Sequence, residues 1–157
     1  MPEAIDALLQ EFRFDIYNNE EVKQEDIEIL VKEFCKISTE NLKKYLSLEK
    51  VSLKLCWLNY VHIINGMPYP QKLNGLPILF EFLKDMNWPG AQETITVVGE
   101  LKKEEIAPFV EKFLVCAYEE RDSMWISGIY ALAKHMGISQ ADFQDKEVYN
   151  YFQYRDF

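Results

Sequence analysis

The sequence predicts an all-α protein: a stack of antiparallel helix pairs, about eight helices in a single domain. Three observations predict it. Apolar residues recur at three- and four-residue steps along most of the chain, the period of a helix with one buried face. The six glycines and six prolines are few and clustered, which opposes both disorder and a β protein with many turns. A chain of 157 residues that is 48% hydrophobic and 27% charged is long enough to bury one core of its own.

Taken in order, residues 3–14 place Ile5, Leu8, Leu9 and Phe12 on one helical face. The segment QEDIEILVKEFCKI repeats the pattern with Ile27, Leu30, Val31 and Phe34, and sets Glu28 and Lys32 on the solvent side in the favourable i,i+4 order. Ser38 or Thr39 can cap a short helix through Tyr45 and Leu46, and Ser47 can cap the next. That next helix, LEKVSLKLCWLNYVHII, carries two apolar stripes, Val51, Leu55 and Leu58 on one and Leu53, Trp57, Tyr60 and Ile64 on the other. Two stripes predict a sandwiched central helix, with His62 as a hydrogen-bonded core histidine rather than a ligand. Asn65-Gly66 predicts a left-handed helix end, and Pro68 and Pro70 forbid its renewal. The loop Asn65 to Pro77 therefore divides the chain into residues 1–64, a helical amino-terminal half, and residues 65–157, a series of helix pairs with a last helix.

In the second part, Pro77 to Met86 is followed by Trp88 to Leu101, and Glu105 to Glu119 by Ser123 to Met136. The pairs echo one another: Asp85 with Trp88 and Asp122 with Trp125, then Ala91 and Gly128, then Ile95 and Leu132. Two helices per unit with a recurrent turn are the pattern of HEAT-like solenoids. Ser139 with Asp142 predicts a capping box that opens a last helix, with Phe143, Val148 and Phe152 inward.

The recurrent turn reads as a corner. Asp85 and Asn87 can accept from the first amides of the following helix, Pro89 fits its first turn, and Trp88 covers the joint. Asp122 and Trp125 repeat the device. At these residues the chain also resembles a known family. FLKDMNWPGAQ is similar to the signature of an uncharacterised, mostly bacterial domain family, in which a Leu-x-Asp-Met-Asn-Trp-Pro-x-Ala segment opens a helix. Asp85, Met86, Asn87, Trp88, Pro89 and Ala91 carry the resemblance, which spans residues 73–138. Gly90 departs from it, standing where the family has a bulkier residue, often valine. The resemblance implies an all-helical, HEAT-like fold and no established activity. Some small acidic helical proteins of this kind are immunity partners of bacterial toxins.

Charge and chemistry narrow the function. The net charge is −9 and the only arginines are Arg13, Arg121 and Arg155, which disfavours nucleic acid as a partner. The acidic excess suits solubility, or a basic partner. Cys35, Cys56 and Cys116 are odd in number and sit in apolar stretches, as free reduced thiols do, so a cytoplasmic location is expected. The opening MPEAIDALLQEF lacks the basic start and apolar run of a signal peptide, and no apolar run reaches membrane-spanning length. His62 and His135 form no HxxxH pair and no CxxC occurs, so no metal or cofactor is predicted. Ser127 in WISGI lacks the glycines of a nucleophile elbow, and NGMPYP and NGLP match no phosphate loop. Adjacent acids such as Glu119 and Glu120 point in different directions on a helix and make no evident catalytic pair.

Three functions compete. The first is a non-enzymatic module that binds another protein, a basic toxin or enzyme, through acidic faces and exposed aromatics at Tyr69, Tyr118, Glu119, Glu120 and Tyr154. The second is a nucleic-acid enzyme on a HEAT-like scaffold, which the charge opposes. The third is a small-ligand pocket lined by Trp57, His62 and Trp88. The first is the expected function. The oligomeric state has no signature in the chain.

Overall fold

The computed structural model describes residues 4–156. Glu3, where the first helix is predicted to begin, lies outside them, as do the first two residues of the segment read for a targeting signal. The fold class is all-α, with no strand among the described residues. The chain forms two compact units, Met1–Ile78 and Leu79–Phe157. Residues 65–77, predicted as a dividing loop, belong to the first and are largely helical, with a 3-10 helix at Gln71–Gly75 and a new α-helix from Leu76.

The first unit opens with α1 (Ala4–Leu9), where Ile5 is buried. The predicted helix through Phe14 is not continuous. It stops at Leu9, and a 3-10 turn at Phe12–Phe14 buries Phe14 and leaves Phe12 69% exposed. Helix α2 (Gln24–Phe34) has the predicted inner face, with Ile27, Leu30, Val31 and Phe34 buried, and packs on α4 (Trp57–Gly66). Between them lies α3 (Thr39–Tyr45), capped by Ser38 Oγ, which accepts from Asn41 N at 3.2 Å. Ser47 Oγ takes Glu49 N in the 3-10 turn that follows.

The central helix is shorter than the periodicity predicts, beginning at Trp57 instead of Leu48. Residues 48–56 form two 3-10 turns, with Val51 and Leu53 extended between them. Carbonyls that a helix would have used internally are taken by side chains from further along: Trp57 Nε1 donates to Leu48 O at 3.1 Å and Tyr60 OH to Ser47 O at 2.7 Å. The first apolar stripe consequently does not exist, and the second loses Leu53, which is exposed and outside the helix. Leu55 is exposed, and His62, predicted in the core, is exposed on the outer side of α4. Gly66 is not a left-handed helix end either, because α4 runs through it to Met67. Its missing Cβ serves packing, since one would stand 2.9 Å from Val31 Cγ2. Asn59, buried on α4, holds the opening loop by donating Nδ2 to Ile16 O (3.1 Å) and Asn19 O (2.9 Å).

Helix α5 (Leu76–Glu81) carries the chain across the boundary and tightens into a 3-10 turn at Phe82–Lys84. In the second unit, α6 (Ala91–Gly99) and α7 (Lys103–Glu119) lead to α8 (Ser123–Met136), which packs on α7, on α6 and on that 3-10 turn. Gly128 makes the last contact possible: a Cβ there would lie 1.9 Å from Leu83 O. Pro108 lies inside α7, beyond its first turn, so the helix forgoes the bond that an N–H there would make to Glu104 O. The Ser139–Asp142 box closes a 3-10 turn instead of opening the last helix, with Ser139 N donating to Asp142 Oδ2 at 2.8 Å. The last helix, α9 (Lys146–Tyr149), begins later under Asp145, whose carboxylate accepts from Glu147 N. Phe143, Val148 and Phe152 are buried as predicted.

Candidate functional site

The two Asp-x-x-Trp corners turn by different means. At the first, Asp85 Oδ1 accepts from Asn87 N at 2.8 Å, and Asp85 O accepts from Trp88 N at 2.9 Å. Both bonds close the turn; neither caps α6. The helix starts at Ala91, so Trp88 and Pro89 precede it rather than opening it. Its N-cap is Gly90, left-handed at φ 97°, whose amide donates to Glu93 Oε1 at 3.1 Å. A bulkier residue would be strained there, which accounts for glycine at this position. At the second corner Asp122 is the N-cap itself, accepting from Trp125 N at 3.0 Å. Trp125 lies in the first turn of α8, buried, with Nε1 donating to Phe80 O at 2.9 Å, whereas Trp88 is half-buried.

The second corner carries more than a turn. Helix α7 ends with Arg121 N donating to Tyr118 O and Asp122 N to Ala117 O, both at 3.0 Å. Arg121 takes the left-handed conformation this ending requires, φ 55°, although it is not glycine. The chain returns to this corner through the 3-10 turn Asn150–Tyr154. Asp156 N then donates to Ser123 O at 3.2 Å, and Ser127 Oγ to Asp156 O. Tyr151 is laid flat on Tyr118, centroids 3.9 Å apart and planes within 4°, and Tyr154 tilts towards the same ring at 5.4 Å. Arg155 covers a neighbouring ring, 4.1 Å from the Tyr130 centroid.

The outcome is a groove of about 490 Å³ lined by Tyr118, Glu119, Arg121, Ser123, Ile126 and Tyr154. Tyr118 is 38% and Tyr154 51% exposed. Three residues predicted for an interaction surface thus line one groove, and Glu120 is exposed next to it. Tyr69 does not join them. It is exposed in the first unit, before the cis peptide bond to Pro70. Sequence reading missed Ser123, Ile126 and Arg121 as groove residues; a charged side chain gives no sign that its backbone will be left-handed.

Among the described residues no group of three or more His, Cys, Asp or Glu could hold a metal ion, and no helix is long and apolar enough to cross a membrane. Trp57 is buried on α4 while His62 on the same helix is exposed, so they do not line one pocket wall together. Cys35, Cys56 and Cys116 are free. Burial pushes the Cys35 and Cys56 thiols up, helped at Cys56 by Glu20 and Asp15, which keeps both protonated and poorly nucleophilic near neutral pH.

No family model, curated protein or solved structure matches this chain.

Proposed function

We propose that this chain is a non-enzymatic, HEAT-like helical protein of the cytoplasm that binds another protein through the groove at the α7–α8 corner. One observation carries the reading: Tyr118 and Tyr154, distant in sequence, expose their rings in one groove with a carboxylate on its wall. Exposed tyrosines on a pre-formed backbone are characteristic anchors of protein interfaces. The net charge of −9 favours a basic partner. The resemblance at Asp85, Met86, Asn87, Trp88, Pro89 and Ala91 adds an immunity-like role, in which that partner is a bacterial toxin.

The test compares wild type with a Tyr118→Ala/Tyr154→Ala double variant, each purified under mild conditions from native cells. The expected outcome is a basic companion recovered with wild type and reduced at least about tenfold with the double variant, the loss two anchor residues typically cause. Equal recovery by two equally well-folded proteins would remove the groove from the interface.

A further inference from the structure

The electrostatics of the groove identify the side chain it takes. Glu119, Glu120 and Asp122 flank Arg121 in sequence, and the returning tail brings Asp156 against Ser123. Among the described residues Arg121 forms no ion pair within 4.0 Å, nor do Glu119 and Glu120. Around the groove Glu119, Glu120 and Asp122 stand against Arg121, and the tail adds one charge of each sign in Arg155 and Asp156, so the acidic excess makes the field within it attract cations. Its exposed aromatic surface is tyrosine, whose ring faces hold planar cations well. The same unit already makes this contact internally, with Arg155 over Tyr130 at 4.1 Å.

We propose that the occupant is an arginine side chain on the partner's surface, lying on the exposed rings of Tyr118 and Tyr154 and neutralised by Glu119 and Glu120. The inference rests on the protein-binding reading of this groove. It makes Arg121 an opposing charge within the site, not a ligand-binding one, and that gives the test its sign.

The probe is a capped Gly-Arg-Gly peptide titrated into the full-length protein carrying 13C-labelled tyrosine, followed by NMR. Saturable shifts of the Tyr118 and Tyr154 ring signals are expected, with none from the neutral citrulline counterpart. Glu119→Gln/Glu120→Gln should weaken the peptide and Arg121→Gln should tighten it, each by about two- to fivefold as exposed charge pairs allow. Equal shifts from the citrulline peptide, weaker binding by Arg121→Gln, or no ring shifts at all would each overturn the assignment. The companion capture keeps the two ideas apart. If the tyrosine double variant loses its companion while the arginine peptide fails, the groove stands and only its occupant is wrong; if capture survives, the groove itself is wrong.

Discussion

Trp125 donates its indole N–H to Phe80 O at 2.9 Å and packs its ring against Phe113, so truncating it leaves a cavity and an unpaired carbonyl together. Trp125→Ala is expected to cost about 3–5 kcal/mol, and the half-buried Trp88→Ala only about 1–3 kcal/mol. Urea unfolding of both at equal slope checks the ranking, and equal losses would refute it. Arg121 stores strain where glycine would have none. Left-handed backbone costs a non-glycine residue about 1–2 kcal/mol, and glycine's extra unfolded-state freedom takes back about 0.5–1. Arg121→Gly should therefore stabilise the fold by about 0.5–1 kcal/mol, seen as a higher urea midpoint; a lower midpoint would mean the guanidinium contributes to the fold. Thr94 is a second small liability. Its Oγ1 is buried without a hydrogen-bond partner, so the near-isosteric Thr94→Val should be neutral or stabilising by up to about 1 kcal/mol. A clear loss in thermal melting would show that the hydroxyl is bonded in solution.

Packing between elements is most exacting where α8 crosses the 3-10 turn after α5. A Cβ on Gly128 would stand 1.9 Å from Leu83 O, and backbone cannot give way as a flexible side chain can. Gly128→Ala should cost about 3 kcal/mol despite alanine's better helix propensity. A calorimetric melt of this variant no lower than wild type would mean that α8 and the turn sit further apart than described. The helix ends show how alike in sequence and unlike in structure two corners can be. Asp122 caps α8 directly, whereas Asp85 closes a turn and leaves α6 to Gly90 and Glu93. The difference lies in spacing. Five residues separate Asp85 from the first residue of α6, while Ser123 follows Asp122 at once.

For the molecule as a whole, stability is tied to alkaline pH through two phenols, Tyr60 buried and Tyr17 half-buried. Burial is the main cause that holds Tyr17 and Tyr60 above their ordinary 10.0; Tyr45, Asp15 and Asp6 add to it at Tyr17, and Tyr17 and Cys56 at Tyr60. Each hydroxyl donates to a carbonyl, Tyr45 O at 2.8 Å and Ser47 O at 2.7 Å. The unfolded chain would release these protons near pH 10.0 while the folded chain keeps them. Stability is thus complete below that pH and lost as pH rises above it. The Tyr17→Phe/Tyr60→Phe variant should lose about 1 kcal/mol per missing bond at neutral pH but decline less steeply above pH 10. Parallel declines in chemical unfolding would instead assign the effect to the growing negative charge of a chain already at −9.

By itself the sequence determined the all-α class, the inner faces of α2 and of the last segment, and the bounds of α8, because each is written in a period repeating within two turns of helix. It also marked Tyr118, Glu119 and Tyr154 as surface residues of interest. Tertiary structure alone decided that they line one groove, through a tail bonded to Ser123 and a tyrosine laid on Tyr118. It alone shortened the central helix, turned Phe12 and His62 outward, and set Arg121 left-handed. The physical reason is range. A helix period is a property of neighbours, whereas Trp57 reaching Leu48 O or Asp156 reaching Ser123 O depends on where the rest of the chain has already packed.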